Sequence, residues 1–273
     1  QRQSNAVETS EDGFATFSSY IMVARPGNYE VSLAAEWMNN DLTALANTFS
    51  VTVVHAAPAT MRVEQSAAGA KSRLEFETQS AVAVYDAFGN LATSATGEVT
   101  ISVSGVASAS FSVSPSATIQ GGYATFSDVA LFGDVATYAL TYRYNPGNGG
   151  INTTQQIALQ PGNPYGRAFK NNLASTSRAG SLLPTQPVVR VLDEDGNLVT
   201  WDSSTVVTAG VANNNGNGAL LQSDGLTAVT NISDLQVTAV NGEASFASLR
   251  FKGSLAHSYS LEVSASGLVQ AQS

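Results

Sequence analysis

The sequence predicts an all-β chain of tandem antiparallel β-sandwiches, the first of them incomplete. Three observations lead there. The pattern Gly-x-Ala-(Thr or Ser)-Phe followed by Tyr-x-(Val or Leu) occurs at Gly13 to Phe17 with Tyr29, at Gly122 to Phe126 with Tyr138, and at Gly242 to Phe246 with Tyr259. An upstream signature, Val84-Tyr85-Asp86-Ala87-Phe88-Gly89-Asn90-Leu91-Ala92-Thr93, recurs as Val191-Leu192-Asp193-Glu194-Asp195-Gly196-Asn197-Leu198-Val199-Thr200. Apolar residues alternate with polar ones between these markers, which is the period of a half-buried strand. Too few residues precede Phe17 for the upstream signature, so the array begins part-way through a repeat.

Taken in order, the alternating runs are Val31/Leu33, Phe49/Val51/Val53, Leu74/Phe76, Val82/Val84, Val99/Ile101/Val103, Leu140/Tyr142, Val189/Val191 and Leu261/Val263. Gly, Asn, Asp, Ser and Pro separate them at the rhythm of an all-β sandwich. Tyr29 to Met38 also fits a helix, but its alternation and its place in the repeat favour a strand. Two Pro-containing connectors, His55 to Thr60 and Gln160 to Gly166, divide the chain into 1–57, 58–161 and 162–273. Proline restricts its own φ and the residue before it, so the array is expected to be a stiff rod. Asn213 to Gly218 reads as an exposed loop, because Asn and Gly tolerate the left-handed region.

Composition narrows the function. Charged residues make up 12% of the 273 positions, and 12 basic against 21 acidic residues leave a net charge of −9. Lysine occurs only at Lys71, Lys170 and Lys252, too few to neutralise a run of phosphates, so nucleic acid is not an expected partner. No apolar run has the length of a membrane span. The chain has no cysteine, which excludes disulfides and thiolate metal sites. Gln1 in place of Met implies processing or a segment of something longer.

The combination V-x-V-x-D-x-x-G-N, then G-x-A-T-F, then Y-x-L resembles bacterial Ig-like repeats of the invasin and intimin type, and more distantly filamin rod repeats. The likeness covers most of residues 58–273 and the half-repeat before them. It implies Ig-like sandwiches in an extracellular or cell-surface array with structural or binding work, and it supplies no catalytic residues.

Candidate sites are few. Asp193, Asp195 and Asn197 offer oxygen ligands suited to calcium; the same residues, like Asp86, Gly89 and Asn90, also suit a hairpin turn, with Gly and Asn taking φ > 0. Gly196 belongs to that turn as well. His55 sits in a connector and His257 before Tyr259, neither with a nucleophile and acid beside it in sequence. No nucleophile elbow or phosphate-cradling loop is present, so no enzyme and no cofactor are expected. Tyr29, Tyr138 and Tyr259 stand where a tyrosine corner belongs. Trp37 and Trp201 are the candidates for stacking on sugars, or for capping a core. Asn152-Thr153-Thr154 and Asn231-Ile232-Ser233 are N-glycosylation sequons between strand-like runs, so attached glycans are expected if the source is eukaryotic.

Three function classes remain: a structural subunit of an extracellular filament or surface appendage, an adhesin stalk or carbohydrate-binding array, and an accessory segment of a larger enzyme. The repeat arithmetic puts the last strand of the third copy near position 278, beyond Ser273. An open sandwich exposes unpaired backbone groups that another chain can cover by adding a strand. The expectation is therefore head-to-tail assembly of copies of this chain, with residues 1–16 as the donated segment.

Overall fold

The computed structural model describes residues 16, 21–32, 35–37, 40–42, 48–147, 149–212, 217–255 and 257–270. Gly13, Phe17 and the expected donor segment up to residue 15 lie outside the described residues. The architecture is all-β. Its only helical element among the described residues is a 3-10 turn at Ile232–Leu235, capped by the Asn231 side chain.

From the first repeat come β1 (Gly27–Ser32), β2 (Ala35–Trp37), β3 (Asn40–Leu42) and β4 (Thr48–Val53). β1 pairs antiparallel with β4, Tyr29 opposite Val51, and β2 with β3. The parts of the segment from Tyr29 to Met38 that are described, residues 29–32 and 35–37, are extended; residues 33, 34 and 38 lie outside the described residues.

The second sandwich contains β5 (Pro58–Gln65), β6 (Ala81–Asp86), β7 (Glu98–Gly105), β8 (Ala109–Phe111), β9 (Ser116–Thr118), β10 (Tyr123–Thr125), β11 (Leu131–Gly133), β12 (Thr137–Tyr144) and β13 (Ile151–Ala158). One sheet runs β10-β6-β5 and the facing one β13-β12-β7-β9, with a β11-β8 ribbon at the side. Alternation decides which face is buried. Tyr138, Leu140, Tyr142 and Tyr144 point inward from β12, each at most 3% exposed, and meet Val82, Val84, Phe126 and Leu131. The Phe126 and Tyr142 rings lie 5.7 Å apart and tilted, a favourable aromatic pairing. The last strand closes the core, because Ile157 sits opposite Tyr138 and Leu159 follows it inward.

The third sandwich contains β14 (Gly166–Phe169), β15 (Val188–Leu192), β16 (Val206–Ala212), β17 (Ala219–Leu221), β18 (Gln236–Thr238), β19 (Glu243–Ser245), β20 (Arg250–Lys252), β21 (Ser260–Ala265) and β22 (Val269–Gln270). Its sheets are β19-β15-β14-β22 and β18-β16-β21, with a β17-β20 ribbon. A separate apolar cluster built on Val189, Val191, Val199, Val207 and Phe246 fills it.

One expectation needs correction. Leu74 and Phe76 lie in no strand; the chain bends there, held by the Glu75 to Ala130 bridge, and Phe76 is buried from outside any strand. After β21 a tight turn at Gly267, with φ +76°, leads to Val269–Gln270, which adds in parallel to β14 on the opposite sheet.

Each of the three tyrosines bonds back to a carbonyl four or five residues upstream. The Tyr29 hydroxyl donates to the Arg25 carbonyl at 2.8 Å, Tyr138 to Asp134 at 2.6 Å and Tyr259 to Ser254 at 3.1 Å. A hydrogen bond of this kind contributes about 1 kcal/mol. Tyr138→Phe is therefore expected to destabilise the second sandwich by roughly that amount, and Leu140→Ala by about 3 kcal/mol through the cavity it leaves. Urea unfolding followed by circular dichroism and tyrosine fluorescence checks both, and equal losses would refute the core assignment.

Candidate functional site

The repeated D-x-x-G-N turn is where the sandwiches are joined. At the end of β15, the chain reverses through Gly196, with φ +85°, a conformation glycine adopts without steric cost. Asp193 faces inward and its Oδ1 accepts the N–H groups of Asp195 and Asn197 at 3.0 and 2.8 Å. Its Oδ2 accepts the N–H of Gly162, in the connector, at 2.8 Å. At the end of β6 the same turn does the same work. Asp86 Oδ1 accepts from Phe88 and Asn90, and Oδ2 accepts the N–H of Ala56, again in a connector, at 2.9 Å. Gly89, with φ +82°, is the left-handed residue; Asn90 and Asn197 are not among those with positive φ. The asparagines contribute amide groups instead, each Nδ2 donating to its own Asp.

The joint between the second and third sandwiches carries more. Arg73 spans Asp195 in a two-pronged contact, Nη2 to Oδ1 at 2.8 Å and Nε to Oδ2 at 3.0 Å, and Nη1 stands 3.2 Å from Glu194. Ser72 Oγ also donates to Asp195. Asn197 reaches across as well, accepting from the Val135 N–H and donating to the Gly133 carbonyl, both at 2.9 Å. The Trp201 N–H donates to the Pro161 carbonyl at 3.3 Å. Gly162 is required by contact, since a Cβ there would stand 2.4 Å from the Ser72 carbonyl. In the first joint, His55 takes the Pro161 position: its Nε2 accepts the Ser94 N–H at 3.0 Å, which leaves Nδ1 to donate to the Ala56 carbonyl.

The chain matches no protein-family model and no curated protein. Among solved structures it is similar to the adhesin FdeC of Escherichia coli, at 18% identity over 83% of this chain and 74% of that one, with a TM-score of 0.38. InvD of Yersinia pseudotuberculosis gives 13% identity over 90% of this chain and 67% of that one, with a TM-score of 0.32. The β-glucuronidase of Parabacteroides merdae gives 14% identity over 78% of this chain, with a TM-score of 0.26, and the chain spans 23% of that enzyme's length.

The remaining candidates fall as follows. Asp193 and Asp195, read as calcium ligands or turn residues, direct their carboxylates at backbone N–H groups and at Arg73 and Ser72, and among the described residues no group of three or more acidic or histidine side chains is placed to hold a metal ion. Trp201 stands beside the joint, 51% exposed, and Trp37 lies in β2. His257 is exposed, its ring 6.4 Å from that of Tyr259. Asn152 and Asn231 are both exposed; Asn152 lies within β13 rather than between strands. Among the described residues no helix is long and apolar enough to cross a membrane. Arg73, Ser72 and Gly162 were not singled out from the sequence. Gly162 beside Pro161 carried a signal, whereas Arg73 carried none, because its partner lies on another sandwich.

Burial opposes ionisation of Asp86, but the N–H groups of Ala56, Asn90 and Phe88 and the Asn90 amide outweigh it and hold the carboxyl at about 2. Burial likewise opposes ionisation of Asp195, and Arg73 and Ser72 outweigh it, so this carboxyl also lies below its ordinary value. Both folded values lie below the unfolded one, about 3.9. Asp86 and Asp195 therefore contribute stability above the unfolded value, and Asp86 loses its share as the pH falls toward about 2. Asp86→Asn is expected to flatten that acid limb in a pH series of thermal unfolding; an unchanged limb would show that the clamp is not linked to folding. Arg73→Ala removes roughly 1 kcal/mol of partly exposed ion pairing and is expected to widen the distribution of angles at the second joint, read by small-angle X-ray scattering.

Proposed function

We propose that this chain is a structural subunit of an extracellular filament or surface appendage. It is a rod of Ig-like units, 1–57, 58–161 and 162–273, that assembles head to tail and carries glycans at Asn152 and Asn231. One observation carries the reading: the same aspartate turn twice seizes the connector of the preceding unit, and at the second joint Arg73 and Ser72 grip the Asp195 side chain while Asn197 bonds the backbone of Gly133 and Val135. Such joints transmit load and orientation, which suits a rod more than a set of independently tumbling modules. The surface agrees, because a chain with 12% charged residues must be wetted by neutral polar groups, and attached sugars or neighbouring copies fit that surface.

A second reading, an adhesin stalk or carbohydrate-binding array, is favoured by Trp201, whose half-exposed indole offers an apolar face at the joint. The two readings separate on association. Sedimentation velocity over a range of concentrations is expected to show chains of increasing length, with scattering curves of an extended particle. A monomer at every concentration that binds a glycan panel, and stops doing so on Trp201→Ala, would replace the filament by the stalk. Intact mass of the natively produced chain, before and after glycosidase, tests the glycans, and an unchanged mass removes them from the proposal.

A further inference from the structure

The second sandwich shows what the third is open to receive. In the second, the sheet order is β13-β12-β7-β9; in the third, β18-β16-β21. By the positions of Tyr138 and Tyr259, β21 is the counterpart of β12, and β16 of β7. Among the described residues, no strand stands beside β21 where β13 stands beside β12, because β22 adds to the opposite sheet. A cleft of about 580 Å³ lies at that edge, lined by Leu173, Leu183, Phe251, Leu255, Tyr259 and Leu261 among others. In the second sandwich the same place is filled by Ile157, Leu159 and Gln160, with Gln160 bonded between Ala70 and Ser72.

The chain contains a second strand with the character of β13. β4 carries Phe49, Val51 and Val53 in alternation, and Val51 sits opposite Tyr29 as Ile157 sits opposite Tyr138. It carries no charge, and it runs directly into the His55-Ala56 connector, as β13 runs into Pro161-Gly162. Among the described residues β1 and β4 pair only with each other, and a two-stranded hairpin is marginal in water. Phe49 is 51% exposed.

The end of the third sandwich also matches the outer face of the second. Gly180, with φ +79° and its N–H on the Phe251 carbonyl, corresponds to Arg73, with φ +64° and its N–H on the Leu131 carbonyl. Leu255 corresponds to Val135 and Phe88 to Asp195. The established joint pairs Arg73 with Asp195, a charge with a charge. On the faces away from this joint, the same two positions hold Gly180 in the third sandwich and Phe88 in the second, with Leu255 beside the first. Phe88 is 63% exposed and Leu255 93%. The substitution is concerted, from a charged contact to an apolar one.

We infer that the cleft beside β21 is a docking site for β4 of a second copy of this chain, whose second sandwich then seats Phe88 on Gly180 and Leu255. The inference rests on the filament reading above and names its contact. β4 exchanges β1 for β21, Val51 opposite Tyr259, and the added strand satisfies the open edge with backbone hydrogen bonds. The contact joins different surfaces of two copies and does not close, so it propagates. One of the differences from the established joint sets a spacing: Ala56 stands where Gly162 does, so the segment at Ala179 must stand further back than Ser72.

A disulfide reports this contact cleanly, since the chain has no cysteine. In the stated register Ser50 faces Ser260, and both are exposed. Under mild oxidation, a chain with both Ser50→Cys and Ser260→Cys is expected to give a ladder of multimers. Mixing the two single variants is expected to give a heterodimer that neither yields alone. Phe88→Lys is expected to thin the ladder and Leu255→Glu, added to it, to restore it. Absence of the ladder from a double variant that unfolds at the wild-type temperature overturns the inference. A synthetic peptide of residues 152–161 that binds the wild-type chain while no ladder forms also overturns it, since the cleft then takes a strand from elsewhere. Neither result touches the rod, which the scattering curve of the single chain tests separately.

Discussion

The structure depends on a carboxylate that looks backwards along the chain. Asp86 and Asp193 each end a core strand, fold the following turn around one oxygen, and give the other to the N–H of the connector before their own sandwich. A buried backbone N–H without a partner costs free energy, so the connector is held in one path, and the sandwich it leads into is held with it. Proline supplies part of this stiffness by restricting φ, but restriction alone leaves a range of angles. The hydrogen bond selects one.

The two joints share this element and differ in everything around it. The second adds the Arg73 to Asp195 contact, which brings two charges to a half-exposed site where bidentate geometry makes them effective, and a glycine that lets Ser72 approach. The first has His55 on Ser94 in place of Pro161 and Trp201. An array built on one repeat thus distinguishes its joints through the residues flanking a constant clamp. At the positions equivalent to Asp195 and Arg73, the second and third sandwiches carry Phe88 and Gly180, with Leu255 beside the latter, in place of a charge pair.

Low charge has a structural consequence. Strand edges are ordinarily protected from pairing with other chains by lysine or by covering segments. Here lysine is scarce, β21 has an uncovered edge among the described residues, and β4 exposes an apolar strand that matches it. An edge of this kind is the feature on which the proposed assembly rests.

The sequence by itself determined the sandwiches, because alternation and turn residues are local: the inward tyrosines of β12, the valines of β15 and the left-handed glycines at Gly89 and Gly196 follow from spacing alone. It also marked the aspartate turns, since they recur. It did not determine what those turns bind, because a carboxylate presents the same oxygen atoms to calcium, to a backbone N–H and to arginine. The choice of Gly162 and Arg73 as partners, and the diversion of β22 to β14, were decided only by the tertiary structure, where residues far apart in the chain come within hydrogen-bond distance and each surface sets what its neighbour can be.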